Sequence, residues 1–399
     1  MVACCLRFFL STVLAVAVSG VDKICSRNDI FKPSNNKIIN RPGCTVFDST
    51  GNLHQNGYDS LLAVLSDTMN MDSIQLGYQT LGDAGFLSLA EELKQNTTLT
   101  KLFLHLNDAK DDGVAAIASA LMANTHVTEL SVHTNDIGAP GAKALSELLI
   151  ANPTSGLERL HIGDNHIGEE GGLEFARALK VNRHLKHLYL FKDALGLNNS
   201  KSIAEAMTDG EFPSGTVSNF YVIGNNINDK GTKVLAEALA VNDVLTHLDL
   251  GKNVIRNPGA LDLANALKSN SSAIVTLALG WNQIRDLGAY DLGEMLKVNT
   301  KLRCLDLSAN WIQWQGAQAI ALALNVSGNT ALKYLDLSSN YIDTASHPML
   351  REHFRRTHVE HVFLDTFPDG DYVCRKLQYC GIEDADMHEM CVAKGFSMT

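Results

Sequence analysis

The chain lacks the signs of a catalytic centre and lacks a positive balance of charge, and both absences narrow its function. It contains no G-x-S-x-G elbow, no H-E-x-x-H helix and no phosphate-binding P-loop, and its acidic residues are spread over turns and helices rather than paired in a pocket. An enzyme is not expected, and no cofactor is implied. Lys and Arg number 33 against 44 Asp and Glu, for a formal charge of −11. Residues 1–20 hold Arg7 and no acid, so without them the charge is −12. A phosphate backbone or an anionic membrane suits such a chain poorly, and no nucleic-acid partner is expected. Beyond the N-terminus no apolar run approaches the roughly 20 residues that a membrane-spanning helix needs. Cysteine is almost missing from the body of the chain, where Cys304 stands alone.

What is there is a repeat. Its clearest unit is Leu302-Arg303-Cys304-Leu305-Asp306-Leu307-Ser308-Ala309-Asn310-Trp311-Ile312, an L-x-x-L-x-L-x-x-N-x-I pattern. The first apolar position recurs at Met71, Leu99, Val127, Leu157, Leu185, Val217, Leu245, Ile274, Leu302, Leu332 and, degenerately, Val359, in steps of 27 to 32 residues. A period of this size predicts a solenoid, which counts as one domain however long it grows. Alternating segments such as Leu248-Asp249-Leu250 read as short strands with one face buried. The asparagine that follows (Asn107, Asn135, Asn165, Asn225, Asn253, Asn282, Asn310, Asn340) has donors and acceptors to satisfy backbone groups where the chain leaves the strand. A turn ending in Gly, as at Gly113 or Gly316, leads into an Ala/Leu-rich helix. Asn96, Asn124, Asn152, Asn182, Asn242 and Asn299 close these helices and are expected as left-handed C-caps.

These units, Leu245 to Asn253 and Gly259 to Leu267 among them, resemble the ribonuclease-inhibitor class of leucine-rich repeats over roughly residues 71–364. The resemblance implies an α/β fold: a right-handed leucine-rich-repeat solenoid, or horseshoe, with parallel strands on the concave face and helices on the convex face. Relatives of that class include ribonuclease inhibitor, the activator of the Ran GTPase and the sensing portion of intracellular immune receptors, all of which bind another macromolecule. Ribonuclease inhibitor is rich in repeat cysteines, whereas Cys304 is the only one here, so ribonuclease inhibition is not implied.

The ends point to secretion. Arg7, an apolar run from Phe8 to Val18 and small residues up to Gly20 fit a signal peptide over residues 1–20, leaving no integral membrane segment after its removal. A cap segment is expected over 21–70, about ten repeats over 71–358, and a C-terminal cap with a last degenerate strand over 359–399. Cys25, Cys44, Cys374, Cys380 and Cys391 lie outside the regular repeats and are expected to staple these caps as disulfides, with Cys25–Cys44 the preferred pair. The odd C-terminal cysteine can pair with Cys304, stay free or link two chains. Sequons at Asn96, Asn198, Asn270 and Asn325 fit a glycoprotein. Three of them also fit the repeat's own preference for Asn at helix ends; Asn198 lies in an irregular unit and is the independent signal. That unit has Asp193 in place of the asparagine and an insertion at 209–216.

Side chains between the strand leucines should face the concave side. Phe103, His105, His133, His161, His187, Tyr189, Phe191, Tyr221 and Trp281 are therefore the expected partner-binding residues, exposed aromatics being common interface anchors. The densest stretch, residues 101–225, is the expected contact; later repeats carry Asp249, Asp306 and Asp336 and look thinner and more acidic. Three loosely aligned histidines do not make a metal site without further ligands, so no metal is expected. In the tail, Cys374, Cys380, His388 and Cys391 match no common zinc spacing, and disulfides fit a secreted chain better. Arg351, His353, Arg355, Arg356, His358 and His361 form a basic cluster that should solvate the end of the stack.

The reading is a secreted, non-catalytic leucine-rich-repeat module that recognises a protein or peptide partner on its concave face. The alternative is an intracellular regulator, similar to the Ran activator or to an immune sensor. The activator usually carries an acidic C-terminal tract, absent here, and no nucleotide-binding module precedes these repeats.

Overall fold

The computed structural model describes residues 73–77, 81–152, 156–192, 217–269 and 271–365, with four two-residue strands before them. These are β1 (Lys23–Ile24), β2 (Phe31–Lys32), β3 (Lys37–Ile38) and β4 (Cys44–Thr45). Strand then alternates with helix: β5 (Ser73–Gln75), α1 (Gly82–Leu93), β6 (Lys101–Phe103), α2 (Asp111–Ala123), β7 (Glu129–Ser131), α3 (Ala139–Ala151), β8 (Arg159–His161), α4 (Gly168–Val181) and β9 (His187–Tyr189). After residues 193–216, which lie outside the described set, come β10 (Asn219–Tyr221), α5 (Asp229–Leu239), β11 (His247–Asp249), α6 (Asn257–Lys268), β12 (Thr276–Ala278), α7 (Asp286–Leu296), β13 (Cys304–Asp306), α8 (Trp314–Ser327) and β14 (Tyr334–Asp336). A 3-10 turn, α9 (His347–Phe354) and β15 (His361–Phe363) complete the series.

Strands β5 to β15 form one parallel sheet in chain order, extended at its N-terminal edge by β3 and, antiparallel, by β2. The fold is an α/β leucine-rich-repeat solenoid, as the period implies. One strand residue per unit points to the helices, and register stacks these positions: Leu102, Leu130, Leu160, Leu188, Phe220, Leu248, Leu277, Leu305 and Leu335 form a row, each at most 2% exposed. Helices close the core from the other side. α7 buries Ala289, Leu292, Met295 and Leu296 at helical spacing, while Leu287 and Tyr290 on its opposite face are exposed. Among the described residues no helix is long and apolar enough to cross a membrane.

The strand-end asparagines tie unit to unit. Asn310 Nδ2 donates to the Leu307 carbonyl of its own unit at 3.1 Å and to Leu279 of the preceding unit at 2.9 Å, and its Oδ1 accepts from Ile284 N at 3.0 Å. Asn253 repeats the arrangement on Leu250, Val222 and Ile227. A buried amide with donors and acceptor all used satisfies carbonyls and amides that a three-residue strand leaves behind.

The helix-closing asparagines do something other than expected. Asn124 and Asn182 are extended, not left-handed, and Asn152 is not left-handed either. Asn124 Oδ1 accepts from His126 N at 2.8 Å, and its Nδ2 donates to Leu93 O of the preceding helix at 2.7 Å. The side chain of one unit thus caps the C-terminus of the previous helix, a job that needs no positive φ. The left-handed residue sits instead just before the strand-end asparagine: Leu106, Thr134, Asp164, Lys252, Trp281, Ala309 and Ser339 have φ between +48° and +59°, and Lys192, before Asp193 in the irregular unit, has +58°. There the chain turns sharply off the strand while its amide still reaches the next unit, as Trp281 N does to Ser308 O at 2.8 Å.

Helix N-termini are capped across units too. α8 has no side-chain cap of its own, yet Asp286 Oδ1 in α7 accepts from Gln313 N at 2.8 Å and Gly316 N at 2.9 Å. Asp83, Asp111, Asp229 and Asn257 serve the following helices in the same way. This explains the repeat's turn glycine: a Cβ on Gly316 would lie 2.5 Å from Asp286 Oδ1.

Candidate functional site

The face of the sheet away from the helices carries two columns of side chains, set by the parallel register. The first runs Lys101, Glu129, Arg159, His187, Asn219, His247, Thr276, Cys304, Tyr334, His361. The second runs Phe103, Ser131, His161, Tyr189, Tyr221, Asp249, Ala278, Asp306, Asp336, Phe363. Two residues past each strand, where the chain turns, lies a rim that includes His105, His133, Gly163, Phe191 and, beside the asparagines, Trp281.

The predicted residues separate between these places. Phe103, His161, His187, Tyr189 and Tyr221 are in the columns, whereas His105, His133, Phe191 and Trp281 are on the rim. In the second column His161 stacks on Tyr189 with ring centroids 3.9 Å apart, and Tyr189 on Tyr221 at 4.3 Å. On the rim His105 stacks on His133 at 4.7 Å, and Phe191 leans against His133 at 5.8 Å. Phe191 reaches back because Gly163 leaves the space: a Cβ there would lie 2.4 Å from the ring. Parallel imidazoles show each other their faces, while a shared metal needs in-plane lone pairs aimed at one point. Among the described residues no group of three His, Cys, Asp or Glu side chains is placed to hold a metal ion.

Exposure differs from expectation. Phe103, His161, Tyr189 and Tyr221 are at most 3% exposed and His187 8%, so the column aromatics are covered, not presented. Lateral stacking along closely spaced strands accounts for part of this. These side chains are not part of the core between sheet and helices. Besides Tyr290 on the outer face of α7, the exposed aromatics among the described residues are on the rim: Trp281, Trp311 and Tyr341, at 47%, 38% and 69%, the last two not among the expected contact residues. Lys252 Nζ lies 5.5 Å above the Trp281 ring and the Arg285 guanidinium 4.8 Å from that of Trp311, holding both rings in place. The missed signal was positional: Trp311 and Tyr341 directly follow the repeat asparagines Asn310 and Asn340.

Charge on the columns is buried as well. Glu129 lies 3.2 Å from Lys101 Nζ and 3.5 Å from His161 Nε2. Burial works to raise its pKa, but the His161 hydrogen bond and charge, with the Lys101 ammonium, outweigh this and hold the carboxyl below its usual range. Asp336, facing Asp306 on the adjacent strand, is pushed up to about 6 by burial and by the Asp306 carboxylate, against hydrogen bonds from Ser338 and Tyr334. Cys304, on the same strand as Asp306, is 2% exposed and disulfide-bonded. At the C-terminal end, Arg351 pairs with Asp365, and Arg355 and Arg356 with Glu352, so the basic cluster is partly neutralised.

Of the sequons, Asn96 is 8% exposed and its Oδ1 accepts from Leu99 N at 2.8 Å, as part of the helix-end ladder; Asn325 is half-buried on α8, donating to His353 O at 3.0 Å. Asn198, Asn270, the 209–216 insertion, residues 1–20 and Cys25, Cys374, Cys380 and Cys391 lie outside the described residues, as does the Cys44 side chain.

Stacked strand-turn-helix units with an asparagine ladder define a repeat scaffold whose function rests on its surface. Five segments, residues 123–146, 157–176, 241–264, 271–293 and 298–321, match the Leucine Rich repeat model. The chain is a leucine-rich repeat protein, and the ribonuclease-inhibitor type is compatible with these matches without being singled out by them. It is 32% identical over 116 residues to the human NACHT, LRR and PYD domains-containing protein 13, covering 29% of this chain and 11% of that one. To the human NACHT, LRR and PYD domains-containing protein 14 it is 27% identical over 166 residues, covering 42% and 15%. The matched portion is thus a small fraction of either relative. A solved structure of Rad7 and Elc1 in yeast aligns with TM-score 0.42 and 13% identity, over 72% of this chain and 74% of that one. Leucine-rich repeats of this kind form protein-binding modules.

Proposed function

We propose that this chain is a secreted leucine-rich-repeat module that binds a protein or peptide partner, and that the contact runs along the aromatic rim at the edge of the concave face. The observation that carries it is the set Trp281, Trp311 and Tyr341, three large rings left substantially exposed on a rigid repeat edge. Aromatic side chains with few rotors, fixed by neighbours, give contact area at small entropic cost. The stacked His105, His133 and Phe191 extend the same edge into the early repeats. Secretion is supported by the signal-like residues 1–20, the cysteines at both ends and the disulfide state of Cys304, since such bonds persist in oxidising compartments.

The test has two steps. Expression in secreting eukaryotic cells, followed by thiol alkylation without reduction and intact mass, should show loss of about twenty residues and few alkylated thiols. A partner retained from the medium by the wild type should then be lost by the W281A/W311A/Y341A variant at an unchanged thermal midpoint; equal retention by both contradicts the rim contact.

A second reading is favoured by one observation, the identity with the NACHT, LRR and PYD domains-containing proteins. In it the repeats are an immune-sensor-like recognition module inside the cell. It predicts an unprocessed product whose eight cysteines are all alkylated.

A further inference from the structure

The turns between strand-end asparagine and helix carry two rows of side chains, and in the later units these rows set cations beside flat groups. The position directly after the asparagine is Asp108 and Asp136 in early units, and Gln283, Trp311 and Tyr341 in the last ones. Backbone bonds tie this row from unit to unit. Gln283 N donates to Ile255 O at 2.8 Å, Trp311 N to Ile284 O at 2.8 Å and Tyr341 N to Ile312 O at 2.9 Å. Three residues past their own asparagines stand Arg256 and Arg285, both exposed. Each reaches the row residue of the following unit. Arg256 Nε donates to Gln283 Oε1 at 3.2 Å, and the Arg285 guanidinium lies 4.8 Å from the Trp311 ring centroid.

The fold has little use for arginine at these two positions. They are the N-caps of α6 and α7, where neither side chain caps the helix and where a cation meets the positive end of the helix dipole. Gly138 and Gln313 hold the same position before α3 and α8. The amides at these helix starts are already taken: Asp229 accepts from Arg256 N and Gly259 N, and Asn257 from Arg285 N and Gly288 N. Asp286 is likewise turned to the start of α8. Among the described residues neither guanidinium forms an ion pair. Two charged forks thus stand on a rigid edge, one of them against an exposed tryptophan, with carboxylate-binding capacity unused.

We propose that this stretch of the rim reads an acidic peptide segment of the partner, with carboxylates on Arg256 and Arg285 and neighbouring apolar side chains against Trp281 and Trp311. A guanidinium meets a carboxylate through two parallel hydrogen bonds, and a ring beside it supplies apolar contact. The net charge of −11 by itself attracts basic partners, so the sign of this spot runs against that of the whole chain. Asp108 and Asp136, at the equivalent row positions of early units, repel an acidic segment and confine it to the later ones. The inference rests on the rim contact proposed above and adds the chemistry of what the rim binds.

The probe is a random peptide library selected on the full chain, with the enriched peptides synthesised, labelled and titrated. Enriched peptides should carry Asp or Glu beside aliphatic or aromatic residues. Their affinity should fall at least about tenfold in R256Q/R285Q and depend less on salt there than in the wild type. Gln313 shows that the fold accepts glutamine at this position, so the thermal midpoint of R256Q/R285Q should match the wild type. Enrichment of basic or uncharged peptides, no enrichment, or equal affinity for the wild type and R256Q/R285Q overturns the proposal. The W281A/W311A/Y341A variant separates the two claims. Peptides lost by that variant but kept by R256Q/R285Q remove only the acidic partner, whereas peptides kept by both variants remove the rim contact itself.

Discussion

Asn310 illustrates how much a single side chain does in this fold. Its amide serves Leu307 O, Leu279 O and Ile284 N, and its backbone N–H is held by Asn340 Oδ1 at 3.1 Å. Asn310→Ala leaves several buried groups unpaired and should lower stability by about 2–4 kcal/mol, read from the urea midpoint. Aspartate in its place accepts but cannot donate to the two carbonyls, so Asn310→Asp should be no better. Asp336 gives a pH signature of known sign. Its pKa in the folded protein is raised from 3.8 to about 6, so the folded state binds the proton more tightly than the unfolded chain. Stability from this group is fully present below about pH 4 and is lost as pH rises towards 6 and beyond. The shift corresponds to about 3 kcal/mol. Wild type should therefore lose stability relative to Asp336→Asn between pH 4 and pH 7, and parallel urea midpoints across that range would contradict the assignment.

At the scale of the element, each helix depends on the unit before it. Asp286→Ala removes the acceptor for two amides at the start of α8 and should cost about 1 kcal/mol, as loss of a cap does. Asp286→Asn should be close to neutral, because Asn257 does the same work for α7 with an amide oxygen. Thermal midpoints of the two variants separate a capping acceptor from a simple charge effect. Strands, helices and the strand-end asparagines were legible in the sequence because the period places them and their chemistry is local. Asn124 and Asn182 were legible as helix-end residues, but not in their conformation. Asn ends helices in two ways, with a left-handed backbone or with a side chain that bridges to a neighbour, and only the stacked unit at the right distance selects the second. The caps from Asp83 and Asp286 were illegible for the same reason, since donor and acceptor are about one repeat apart in sequence and adjacent only after stacking.

At the scale of the whole molecule, alternation along each strand fixed which side chains leave the core, and Phe103, His161, Tyr189 and Tyr221 do lie on the predicted side. Whether that side is open is a property of what packs over it, and no strand sequence carries that information. The rim is partly legible: His105, His133, Phe191 and Trp281 lie close to the strand alternation, whereas Trp311 and Tyr341 follow the repeat asparagines, outside the alternation between leucines. Surface labelling of the native oxidised protein addresses the central claim, that the rim is presented and the concave columns are covered. Under brief hydroxyl-radical exposure with peptide-level readout, Trp281, Trp311 and Tyr341 should be modified while Tyr189, Tyr221 and Tyr334 stay protected until the protein unfolds. Modification of the column tyrosines as fast as the rim residues would contradict the account.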